Sequence, residues 1–162
     1  MIGMPDRHVP SPLRPRAGDV SPAAAPGPAR LRPTRVVIVE DDADLRDGLV
    51  EYLGASGMDV VGVGCGLHFY EALATSGFDI AVLDITLPDT DGYAIAAFLS
   101  ARTGLGIVLM TGRARREDRI RGFGSGADLY FVKPVRPREM RLAIVNLARR
   151  LRGDGIGQAA VR

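Results

Sequence analysis

One lysine, one cysteine, two histidines and no tryptophan stand among 162 residues, and each scarcity removes an explanation. A single thiol, Cys65, cannot close an intramolecular disulfide, which suits a reducing compartment. It reads as a small buried apolar residue. His68 falls in a predicted helix with no acidic or cysteine cluster beside it, so it does not read as a metal ligand. No apolar run approaches the roughly 18 to 20 residues that a membrane span needs. The N-terminus also lacks the apolar centre of a signal peptide, because prolines break its Val20-Ser21-Pro22-Ala23-Ala24-Ala25-Pro26 stretch. The expectation is a soluble, cytoplasmic protein with no membrane partner.

The net charge of +2 hides an uneven layout. Residues 1–34 carry five Arg against Asp6 and Asp19, residues 35–135 carry fifteen acids against nine bases, and residues 136–162 carry seven Arg against Glu139 and Asp154. The body is acidic and both ends are basic. Basic ends of this kind are either solvated surface or a contact for nucleic acid. Eight of the eleven prolines lie in residues 1–34, mixed with Ala, Arg and Gly. That composition supports no packed core and predicts a disordered segment over 1–34. Three glycines in five residues after Arg152 predict a flexible tail over 152–162.

Between these ends, short apolar runs alternate with amphipathic stretches. Val36–Val39, Met58–Val63, Ile80–Leu83, Ile107–Met110 and Leu129–Val132 read as strands. Helices are expected around Leu45, Leu49 and Leu53, over Leu67–Ala74, over Tyr93–Leu99, over Arg115–Phe123, and from Pro137 along the face of Met140, Ile144, Leu147 and Leu151. Asp42 and Asp44 read as caps of the first helix, and Asp89 and Asp91 as a turn and a helix cap. Arg136, before Pro137, is a poor cap. Continuous Val/Ile/Leu runs indicate strands covered on both faces, and strict alternation with helices gives an open parallel α/β sheet. Ligands of such sheets sit beyond the carboxyl ends of the strands, where strand order reverses.

Those strand ends are chemically loaded. The first strand runs into Glu40, Asp41 and Asp42, the third into Asp84, the fourth into Thr111 and the fifth into Lys133-Pro134. Two carboxylates about 4 Å apart repel by about 4 kcal/mol at an effective dielectric of roughly 20. Such a crowd either holds protons or holds a cation. Oxygen-only ligands select a hard ion, and Mg2+ binds one or two carboxylates while meeting phosphate oxygens. Lys133 is the sole lysine against twenty arginines, which points to a position that wants a compact ammonium rather than a planar fork.

Taken together, Val37-Ile38-Val39-Glu40-Asp41-Asp42, Leu83-Asp84-Ile85-Thr86-Leu87-Pro88-Asp89-Thr90-Asp91-Gly92, Met110-Thr111-Gly112 and Gly126-Ala127-Asp128-Leu129-Tyr130-Phe131-Val132-Lys133-Pro134 resemble the receiver domains of two-component response regulators. The resemblance covers about residues 35–151. It implies a flavodoxin-like doubly wound (βα)5 fold with strand order 2-1-3-4-5. It implies a phosphoacceptor switch that assists its own phosphoryl transfer and dephosphorylation, rather than an enzyme. Asp84 would accept the phosphoryl group from a sensor histidine kinase or phosphotransfer protein. Glu40, Asp41, Asp84 and the backbone carbonyl of Thr86 would hold Mg2+, with Asp41 the direct ligand and Glu40 acting through water. Thr111 would hydrogen-bond a phosphoryl oxygen, and Lys133 would pair first with the carboxylate and then with the phosphoryl group. Tyr130 matches the switch aromatic, though it also reads as an ordinary half-buried strand residue. The Lys133–Pro134 bond would be cis.

Glu117-Asp118-Arg119 followed by Gly126-Ala127-Asp128 resembles the winged-helix transcription-factor class of these regulators. That class pairs through the fourth helix, fifth strand and fifth helix, which implies a homodimer on phosphorylation. Arg119 and Glu139 stand where one cross-dimer pair belongs, but Leu129 and Ala143 replace an Asp and an Arg of another. The resemblance also implies that Gly112 would leave the site open to small phosphodonors and water, and that Thr86 and Arg113 would occupy positions that tune hydrolysis. A winged-helix effector needs more chain than follows Arg152, so the sequence is either a stand-alone receiver or a piece of a longer regulator that reaches DNA through another domain. Two alternatives share parts of the pattern. A phosphatase of the haloacid-dehalogenase type wants a second Asp two residues after the nucleophile, where Thr86 stands. A flavodoxin-like carrier wants a Ser/Thr/Gly-rich phosphate loop after the first strand, where this chain has acids.

Overall fold

The structure is a computed structural model that describes residues 32–112 and 116–153, with Arg119 described by its backbone alone. Of the segment expected to be disordered over 1–34, residues 1–31 lie outside the described residues, as do residues 154–162 of the tail expected over 152–162, and Arg113. Ten elements alternate: β1 Arg35–Val39, α1 Ala43–Ala55, β2 Asp59–Val63, α2 Gly66–Thr75, β3 Ile80–Asp84, α3 Gly92–Arg102, β4 Gly106–Thr111, α4 Arg116–Gly124, β5 Leu129–Val132 and α5 Pro137–Leu151. The strands form one parallel sheet in the order β2-β1-β3-β4-β5. This is the order expected.

The apolar runs explain the layering. Every residue of β3 and β4 is buried, as is β1 from Val36 onward. Successive strand residues face opposite sides. Val36, Ile38, Val82, Val108 and Met110 therefore pack on Leu49, Leu53, Met140, Ile144 and Leu147 of α1 and α5. Their neighbours Val37, Val39, Ala81, Leu83, Ile107 and Leu109 pack on Phe69, Ile95 and Leu99 of α2 and α3. Each such side chain contributes about 1.5–3 kcal/mol through the area it removes from water.

The helix starts show how short side chains fix the loops above the sheet. Asp42 accepts from Leu45 N–H at 3.0 Å and caps α1, while Asp44 sits in the first turn. Asp91 accepts from Tyr93 N–H at 2.8 Å and caps α3. Arg136 makes no side-chain cap for α5, as expected. Asp89 does something the sequence did not announce. Its two oxygens take the Gly66 and Leu67 N–H groups, each at 2.8 Å, and so cap α2 from a loop 23 and 22 residues further on. These amides hold the Asp89 carboxyl below its ordinary range. Cys65, expected to be buried, is half-buried at the N-cap of α2 and offers no side-chain bond.

At the opposite end of the sheet, Asp79 gathers the chain's approach and exit. It accepts from Arg32 Nη1 and Nη2 at 3.0 and 2.7 Å, from Arg35 N–H at 2.8 Å and from Arg152 Nη2 at 3.3 Å. Burial would raise its pKa, but these donors outweigh burial and lower it.

Candidate functional site

Strand register assembles the acids. β2 and β3 lie on opposite sides of β1, so the sheet reverses its winding between β1 and β3. Val39 pairs with Leu83, which sets the next residues, Glu40 and Asp84, side by side. Asp84 in turn pairs with Met110, leaving Thr111 beside it, and Thr111 pairs with Val132, leaving Lys133 next in line. The Lys133–Pro134 bond is cis. Lys133 N–H donates to the Thr111 carbonyl at 2.7 Å, fixing the base of the lysine.

The side chains then meet. Lys133 Nζ lies 2.9 Å from Asp84 Oδ2 and 2.7 Å from Glu40 Oε2. Asp84 Oδ1 accepts from Thr86 N–H at 3.1 Å, so both oxygens of Asp84 are oriented. Glu40 Oε1 accepts from Asp42 N–H at 3.1 Å, and Arg46 holds the Glu40 carbonyl at 3.0 Å. Glu40 is fully buried, Asp84 and Thr111 nearly so, and Asp41 and Thr86 are exposed. Burial pushes the Glu40 carboxyl above its ordinary pKa, with Lys133 pulling it partly back. Burial works against the Lys133 ammonium, yet Glu40 and Asp84 raise its pKa overall.

Carboxylate oxygens of Glu40, Asp41 and Asp84 all lie within 4.8 Å of one another. Three carboxylates against one ammonium leave a nominal charge of −2, which a divalent cation balances. The donors are all oxygen, which is the preference of a hard ion, and exposed Asp41 leaves room for bound water. The residues therefore fit a divalent metal.

Gly92 brings the loop after β3 into contact with this site. A Cβ there would collide with the Asp84 carbonyl oxygen and stand 2.8 Å from Ile85 Cα. Beside the acids, a cavity of about 430 Å³ is lined by Thr86, Leu87, Tyr93, Thr111, Asp118 and Arg121, and so reaches from the β3 loop to α4.

Six of the sequence-predicted residues thus converge: Glu40, Asp41, Asp84, Thr86, Thr111 and Lys133. Tyr130 does not join them. It lies half-buried on β5 with its ring 6.4 Å from that of Phe123 on α4. Glu139 makes a pair with Arg136 at 3.2 Å, and the Arg119 side chain expected opposite it in a dimer lies outside the described residues. The sequence reading missed Asp89, Tyr93 and Arg121. The sequence places Asp89 and Asp91 in a turn and a helix cap: Asp91 caps α3, while Asp89 caps α2, a partner the sequence does not name.

The chain matches the response regulator receiver domain family over residues 36–145, and it belongs to that family. It is 40% identical over 123 residues to the transcriptional regulatory protein AruR of Pseudomonas aeruginosa, covering 73% of this chain and 50% of that protein. It is 37% identical over 119 residues to the TorCAD operon transcriptional regulatory protein TorR of Escherichia coli K12, covering 74% and 52%. With the transcriptional activator protein PfeR of Pseudomonas aeruginosa it shares 33% over 162 residues, 93% of this chain and 53% of that one. The chain spans about half the length of these curated relatives. The crystal structure of the TorR receiver domain superposes with a TM-score of 0.70 at 37% identity, over 74% of this chain and 99% of that chain. A CheY-like receiver from Methanospirillum hungatei JF-1 gives 0.71 at 27% identity, over 76% and 99%. No described helix is long and apolar enough to cross a membrane.

Proposed function

We propose that residues 35–151 form a receiver that takes a phosphoryl group on Asp84 from a sensor histidine kinase or phosphotransfer protein and thereby changes partner binding. The observation that carries this reading is the setting of Asp84: one carboxylate oxygen 2.9 Å from Lys133 Nζ, the other on the Thr86 amide, within a three-carboxylate cluster. An Asp84 oxygen forms the bond to phosphorus as the phosphorus–nitrogen bond of the donor histidine breaks, and the departing imidazole nitrogen keeps the electron pair. Such transfers need alignment and charge neutralisation more than covalent help. Lys133 supplies a cation beside the nucleophile, and the Thr111 hydroxyl donates to a phosphoryl oxygen. Glu40, Asp41, Asp84 and the Thr86 carbonyl would hold Mg2+, which when bound neutralises charge on the transferring group.

Tyr130 is the switch residue of this reading, and the α4–β5–α5 face is its output. Ile120, Phe123, Val132 and Leu142 are 62, 52, 40 and 46% exposed, an apolar set that supports pairing of two phosphorylated copies. The relatives' names favour transcriptional regulation, and their greater length favours a longer parent protein that reaches DNA through a separate effector domain; we place that protein in the cytoplasm. Incubation with acetyl phosphate, followed by phosphate-affinity electrophoresis, tests the chemistry. Retardation with Mg2+ that EDTA abolishes is expected. Retardation indifferent to EDTA contradicts the metal assignment, and no retardation where a control receiver is modified contradicts the reading as a whole.

A further inference from the structure

A buried polar atom without a partner needs a reason. Two lie on the α4 side of the sheet: the Tyr130 hydroxyl and Asp118 Oδ2 are buried with no hydrogen-bond partner among the described residues. Tyr93 connects their surroundings. It is the second residue of α3, only 6% exposed, and its hydroxyl donates to the Asp118 carbonyl at 2.9 Å. Its ring carries the Arg121 guanidinium 4.4 Å from the centroid, and Arg121 pairs with Asp91 at 2.9 Å. Three contacts therefore tie the first turns of α4 to the start of α3, across the cavity that Thr111 also lines.

A tyrosine hydroxyl that has given its one proton still has lone pairs to offer. The Tyr130 hydroxyl still has a proton to give. Burial first, and then Tyr130 alongside it, hold the Tyr93 phenol far above its ordinary pKa, so it stays neutral and available as an acceptor. Gly122 of α4 lies against the Tyr130 ring, where an added Cβ would come within 2.9 Å of two ring carbons. The seat of α4 on β5 and the placement of Tyr130 are thus one packing arrangement.

We propose that Tyr93 is a positioning residue of the switch: its hydroxyl holds α4 through the Asp118 carbonyl and is the acceptor toward which the buried, unpartnered Tyr130 hydroxyl of the same apolar cluster turns in solution, and this Tyr130–Tyr93–Asp118 relay holds α4 against α3 and β5. The inference rests on the receiver reading, since it gives that reading's switch a named partner on α3. Tyr93→Phe removes the relay's centre while keeping the ring under Arg121. Tyr130→Phe removes its donor.

Amide hydrogen exchange across α4 tests the relay in the unphosphorylated protein, whether or not Asp84 takes phosphate. Each single variant is expected to speed exchange of the α4 amides by about threefold to tenfold, the worth of one buried hydrogen bond. The double variant is expected to go no further than the larger single effect, because both break one chain of bonds. Acetyl phosphate labelling of Asp84 is expected to change by a similar factor in either single variant. Unchanged α4 exchange in Tyr93→Phe, or single effects that simply multiply in the double variant, overturns the relay. A wild-type protein that takes no label while the exchange pattern holds would sink the receiver reading and leave the relay standing.

Discussion

The Lys133 ammonium stands 2.9 Å from Asp84 Oδ2, although 49 residues separate the two in the chain. The parallel register of β3, β4 and β5 brings them together, and Glu40 shares the same ammonium at 2.7 Å. One cation therefore compensates two carboxylates, one of them fully buried.

Removing that cation has a metal-dependent cost. Lys133→Met leaves Glu40 and Asp84 facing each other, and breaking a buried pair typically costs about 3–5 kcal/mol. Because the Lys133 side chain is 24% exposed, a loss of about 2–4 kcal/mol is expected without metal. Mg2+ compensates the same charges and stabilises by mass action. Thermal melts with and without Mg2+ should show a larger metal-induced rise in the variant than in wild type. Equal rises would contradict a shared electrostatic site.

Gly92→Ala tests the close approach of the α3 start to the phosphoacceptor strand. The new methyl meets the backbone of Asp84 and Ile85, which cannot swing aside as a side chain would. Urea unfolding should give a loss of about 1–3 kcal/mol, the usual cost of overpacking. Wild-type stability in this variant would mean that the loop yields more easily than its contacts indicate.

Asp89→Ala removes both acceptors from the N-terminus of α2. Faster exchange of the Gly66 and Leu67 amides is expected, and Asp89→Asn should restore part of the protection through its one carbonyl oxygen. Unaltered exchange at those two amides would show that α2 starts without help from the β3 loop.

The Asp79 clasp predicts a pH dependence of known sign. Its folded-state pKa lies below the ordinary 3.8, so its contribution is present above that value and is lost as pH falls through the lower folded value. Asp79→Asn should cost about 1–2 kcal/mol near neutral pH. The gap between wild type and variant should shrink as acid is added below about pH 4. A constant gap across that range would rule out the charged form as its source.

What the sequence disclosed follows from where the forces are local. Val36–Val39, Ile80–Leu83 and Ile107–Met110 are read easily because strands covered on both faces are apolar throughout. The acids and Lys133 were legible because each directly follows such a run. The capping of α2 by Asp89 and the grip of Tyr93 on Asp118 were not legible. Their partners lie 22 to 25 residues away and meet only once the loops sit over the same strand ends. Charged α4 carries little helical signature of its own, and its expected start at Arg115 lies outside the described residues.

The most direct test of the account is intact mass after incubation with Mg2+ and acetyl phosphate, for wild type and Asp84→Asn. Wild type is expected to gain one phosphoryl group and the variant none. The same gain in both would contradict Asp84 as the acceptor.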